Sequence, residues 1–198
     1  MRKLHLALLP ALLLALALGL AACGGGGESD EDKIVSTIEE SATSTDPAIC
    51  EETQTQAFME QTTSAGGAAA VKACEEETKE EAGNDPDSVT VSEVEIDGDT
   101  ATANAEFKGG TFDAQTLELA LVEDEGDWKI DELAGFAEFD AEGLVAAFAE
   151  QIEAEPGIEP ETASCLVEGI EELSDSELES IVVENNTEVF GELSESCE

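Results

Sequence analysis

The clearest pattern in the chain is a polar/apolar alternation running through "SVTVSEVEIDGDTATANAEF", residues 88–107. Val89 and Val91 alternate with polar neighbours, and the phase then slips to Val94 and Ile96. A period of two marks a strand with one buried face, and a one-residue slip predicts a β-bulge near Ser92-Glu93. Asp97-Gly98 is a hairpin turn signal. Ala101, Ala103, Ala105 and Phe107 then share one side, opposite Thr100, Thr102, Asn104 and Glu106. Lys108-Gly109-Gly110 turns the chain again, and Leu117, Leu119 and Leu121 mark a third strand. Glu125-Gly126-Asp127 predicts another turn, after which Trp128, Ile130 and Leu133 mark a fourth strand with less regular spacing. Four consecutive hairpin-linked strands predict an antiparallel meander with one apolar face.

The flanking segments carry the helical period instead. Upstream, Ile34, Val35 and Ile38 form a stripe. Asp46 is positioned to cap a second helix starting at Pro47 and carrying Ile49, Cys50, Ala57 and Phe58. Gly66-Gly67 breaks that pattern, and residues 68–82 read as a third helix containing Val71 and Cys74. Downstream, Leu144, Val145, Phe148 and Ile152 form one stripe, and Cys165, Leu166, Val167 and Ile170 another. Ser174-Asp175-Ser176-Glu177 is a capping box before Leu178, Ile181 and Val182, and Val189, Phe190 and Leu193 follow. The expected fold class is α+β: three N-terminal helices on a curved four-stranded antiparallel sheet, then a small disulfide-stapled helical domain over residues 138–198.

Helices followed by a curved meander, with "DGDTATA" and "GDWKID" at its turns, resemble the NTF2-like (cystatin-like, α+β cone) superfamily over residues 31–137. The resemblance implies a sheet wrapped around helices that can leave a cone-shaped pocket. Catalytic members of that superfamily rely on tyrosine, histidine and aspartate inside the cone; other members bind ligands or proteins without catalysis.

The N-terminus carries a second resemblance. Met1-Arg2-Lys3 and the apolar run from Leu4 to Ala22 are the two parts of a secretory signal. Leu20-Ala21-Ala22-Cys23 is similar to the lipobox of bacterial lipoproteins. It implies that residues 1–22 are removed, that Cys23 is lipidated, and that residues 23–30, with Gly24–Gly27, form a flexible tether. Two acyl chains suffice for stable anchoring, so the expected location is the extracytoplasmic face of a bacterial membrane.

Charge and composition then narrow the function. After Cys23, five lysines (Lys33, Lys72, Lys79, Lys108 and Lys129) stand against 49 acidic residues, a side-chain balance of −44. Nucleic acid, whose recognition needs Lys and Arg at phosphates, is excluded as a partner. The same segment has no histidine, arginine or tyrosine, which removes imidazole-based nucleophilic catalysis and histidine metal sites. No residue can be carried over as catalytic from the cone superfamily, and neither cofactor nor metal is expected. Asp97, Asp99, Asp124 and Asp127 at the hairpin tips lack the calcium-loop pattern and read as turn residues. Trp128 reads as a core residue whose N–H finds a partner.

An even count of cysteines in an exported chain suggests disulfides. Cys50, Cys74, Cys165 and Cys197 allow three pairings; Cys50–Cys74 and Cys165–Cys197 are expected because each pair falls within one segment. The sum is a non-catalytic, lipid-anchored envelope protein presenting an NTF2-like module to an unknown small-molecule ligand or protein. A carboxylate-dependent enzyme acting inside the cone and an acidic structural or cation-binding envelope protein are the alternatives.

Overall fold

The computed structural model describes residues 28–80, 86–154 and 157–197. It is an α+β fold with one four-stranded sheet. The elements run α1 (Asp30–Thr43), α2 (Ile49–Thr53), α3 (Gln56–Thr63), α4 (Ala68–Glu80), β1 (Ser88–Asp97), β2 (Thr100–Lys108), β3 (Thr116–Asp124), β4 (Asp127–Glu138), α5 (Ala141–Ala154), α6 (Pro160–Glu171), α7 (Asp175–Val183) and α8 (Glu188–Ser196).

The sheet is an antiparallel meander in the order β1-β2-β3-β4. The register of β1 on β2 shifts between Ser92 and Glu95, with Glu93 in the left-handed region at φ 52°; this is the bulge that the phase slip predicts. Glu125 and Gly126 both have positive φ, as a two-residue primed hairpin turn requires. The irregular spacing of β4 has a structural cause. Its pairing with β3 shifts three times, so that Asp131, Ala134 and Ala137 each fall between partnered residues. Three extra residues in one strand bend and twist it. The apolar set stays on one face only because its spacing stretches with them: Trp128, Ile130 and Leu133 are all buried.

One face of the sheet receives α1. Ile34 and Ile38 pack in one core with Ala101, Ala103 and Ala105 of β2 and Leu117, Leu119 and Leu121 of β3. The helix makes its closest backbone approach to the two outer strands, β1 and β4, and its side chains reach the small alanines of β2 between them. A capping box starts α1: Asp32 N–H donates to Ser29 Oγ, and Ser29 N–H donates back to Asp32 Oδ2.

The second helix is not continuous as expected. It divides into α2 and α3 at Gln54-Thr55, and the reason is the edge of β4. Gln54 forms an isolated parallel bridge with Ile130, and Thr55 N–H donates to Ile130 O (2.9 Å). A strand edge left bare is an invitation to pairing with other chains; here two residues of extended backbone cover it. Thr55 then caps α3, accepting from Phe58 N–H. Nor does Asp46 cap a helix from Pro47: α2 begins at Ile49, and Asp46 Oδ1 closes the preceding turn by accepting from Ala48 N–H (3.1 Å).

The C-terminal helices build a second core from Leu144, Ile170 and Leu178. Phe112 and Val182 pack against both cores and join them. Disulfides link Cys50 to Cys74 and Cys165 to Cys197, across 24 and 32 residues.

Candidate functional site

Between the apolar face of the sheet and the helices lies a cavity of about 450 Å³, within the range of ligand pockets. Its wall is apolar and aromatic. Phe58 from α3, Phe107 from β2, Phe112 from the β2–β3 loop and Phe148 from α5 supply four of the chain's seven phenylalanines. Leu117, Leu119, Ile130 and Leu133 form the sheet side. Ile38 and Ala42 of α1 and Ile181 and Val182 of α7 complete it. Cys74 lines the cavity too, so the Cys50–Cys74 disulfide, which ties α2 to α4, braces one wall.

Two buried or half-buried glutamines hold the rim in place, and sequence periodicity had no way to single them out. Gln61 of α3 treats β4 as a partner strand. Its Oε1 accepts from Leu133 N–H (2.8 Å) while its Nε2 donates to Leu133 O (2.9 Å) and to Val183 O (2.8 Å). Asn185 closes the same junction, its Nδ2 donating to Gln61 O and Thr62 O (both 3.0 Å). These bonds seat α7 on α3 and β4, which brings Ile181 and Val182 to the cavity. Gln115 is fully buried and pairs reciprocally with the Asp140 backbone: Nε2 donates to Asp140 O (2.8 Å), and Asp140 N–H donates to Oε1 (2.9 Å). It fixes the start of α5, and hence Phe148, against the start of β3.

Among the described residues lining the cavity, Glu77 of α4 is the one titratable side chain. The rest of the polar lining is Ser41, Ser44, Gln54, Thr62, Thr78, Thr111 and Asn185. Trp128 is a core residue, 2% exposed, and does not line the cavity. Its N–H was expected to find a partner, yet Nε1 is buried without an acceptor among the described residues: α1 and the sheet surround it with apolar atoms, and the nearby Thr37 Oγ1 donates to its backbone oxygen instead.

Asp97, Asp99, Asp124 and Asp127 are exposed at one end of the sheet. Among the described residues no group of three or more His, Cys, Asp or Glu side chains is arranged to hold a metal ion. Cys23 and the apolar segment before it lie outside the described residues. Among those described, no helix is long and apolar enough to cross a membrane.

No protein-family model, curated protein or solved structure matches the chain.

Proposed function

We propose that this chain is a non-catalytic binding protein, tethered to a bacterial envelope through Cys23, whose NTF2-like cone holds a small apolar ligand. The cavity carries this reading: about 450 Å³ walled by four phenylalanines and aliphatic residues from the sheet, α1, α3, α5 and α7. Its lining favours binding over catalysis. Among the described residues the lining has a single carboxylate, and the chain has neither histidine nor tyrosine after Cys23, so these residues offer no pair of groups with opposed proton affinities.

Native mass spectrometry of the protein purified from its own host is the test. A retained small molecule of defined mass is expected. A bare protein mass, together with failure to take up the neutral apolar dye Nile red, overturns the reading. For the tether, Cys23→Ala is expected to release the protein from the membrane fraction.

A further inference from the structure

Resting on that reading, we infer that the ligand is a protonated amine on an apolar body, held with its N–H groups at the Glu77 side of the cavity. Three observations converge on a cationic hydrogen-bond donor.

The first is the state of the polar lining. Thr62 Oγ1 donates its hydrogen to Phe58 O (3.0 Å), and Thr78 Oγ1 donates to Cys74 O (2.9 Å). Asn185 has both amide hydrogens engaged, on Gln61 O and Thr62 O. What these three side chains have left for a ligand is oxygen lone pairs. The donors that remain among the described lining side chains are neutral: the Ser41, Ser44 and Thr111 hydroxyls, the last accepting from Gln151 Nε2 (2.6 Å), and one Gln54 N–H, the other being held by Ser41 Oγ (3.0 Å).

The second is local charge. Glu77 contributes a carboxylate to the lining, and none of the five lysines lines it. Lys108 follows Phe107 along β2 and alternates to the opposite face of the sheet. Among the described lining residues an anionic amphiphile would meet a like charge and no cation.

The third is the field of the whole molecule. A side-chain balance of −44 after Cys23 places the site in negative potential, which concentrates cations and excludes anions. Four phenylalanine rings add quadrupoles that favour a cation over an anion at their faces.

The experiment is calorimetric titration of the full chain in nanodiscs of neutral lipid with octylamine, octanol and octanoate, three probes sharing one tail. The cavity-filling variant Ala42→Phe, checked for folding by circular dichroism, is the blank for partition into lipid; Leu119→Trp replaces it if it does not fold. Octylamine is expected to bind about tenfold more tightly than octanoate at low salt, with octanol between, as for one added charge-assisted hydrogen bond. Glu77→Gln is expected to weaken octylamine by about fivefold, the size of an exposed ion pair, and to leave octanol unchanged. Octanoate binding as tightly as octylamine overturns the inference and leaves the apolar cavity standing. An amine preference that survives both Glu77→Gln and added salt overturns the electrostatic assignment. Binding of none of the three above the blank overturns the cavity reading itself.

Discussion

The sheet region, α1–α4 with the meander, and the C-terminal arm, α5–α8, each carry one disulfide and one helix-initiating capping box, but they are stabilised differently. In the sheet region, α1 and the meander bury a continuous set of large and small apolar residues, and the hydrogen bonds run through a four-stranded ladder. In the arm, the core is a handful of residues around Leu144, Ile170 and Leu178, and α8 buries no residue fully. The sheet region's disulfide, Cys50–Cys74, is itself buried and braces the cavity; the arm's, Cys165–Cys197, ties down a helix that packing alone holds weakly. A staple therefore reinforces the wall of a site in one region and substitutes for a core in the other.

The sharpest break of this comparison is in the sheet region. Leu121→Ala, at a fully buried position away from the cavity, is expected to destabilise the protein by about 4 kcal/mol, with loss of the whole sheet in one urea transition. The same truncation at Leu178 should be felt first in α5–α8; a single shared transition for both variants would merge the two regions.

Next come the staples. Loop closures of 24 and 32 residues are each worth about 3.5 kcal/mol in the chain-entropy view. Removing Cys165–Cys197 by paired serine substitution should raise amide exchange in α8 and α6 while β2 and β3 stay protected. Removing Cys50–Cys74 should weaken ligand uptake as well as stability.

The junction can be tested separately. Gln115→Leu leaves the Asp140 backbone N–H and C=O without their partner, a loss of about 2 kcal/mol. Gln61→Leu does the same at Leu133 and Val183. Both should loosen the arm from the sheet region, read as faster exchange at Leu133 and Asp140 and weaker dye uptake.

The smallest effect is the one the two regions share. In α1 and α7, hydrogen bonds from Ser29 and Ser174 hold the Asp32 and Glu177 carboxyls below the usual carboxylate range. Because the folded values lie below the unfolded ones, their contribution is present above about pH 4 and is lost as pH falls through the folded values. Both groups are exposed, so the loss should be small and parallel at the two helix starts when followed by carboxyl chemical shifts. Fraying of only one of them would separate the caps.

Much of the fold is legible in local sequence. The meander, the bulge at Ser92-Glu93, the turns at Asp97-Gly98 and Glu125-Gly126 and the stripes of α1 and α5–α8 all follow from local period and turn chemistry. The division of the second helix is not, since Gln54-Thr55 is extended only because β4 has an edge there to satisfy. The wavering spacing of β4 is visible in the chain, but its meaning, three inserted residues, emerges only against the register of β3.

For the candidate site the balance is reversed. Sequence alone determined what the chain lacks: imidazole, guanidinium and phenol groups after Cys23, and any excess of positive charge. Those are properties of composition and survive any folding. Tertiary structure alone decided that Phe58, Phe107, Phe112 and Phe148, from four separate elements, face one cavity, and that α7 closes it. It also decided that two glutamine amides act as pieces of backbone between elements far apart in the chain. The physical reason is range: period, caps and turns are set by neighbours within a few residues, whereas a cavity is the space left over when distant elements have satisfied their own packing and hydrogen bonds.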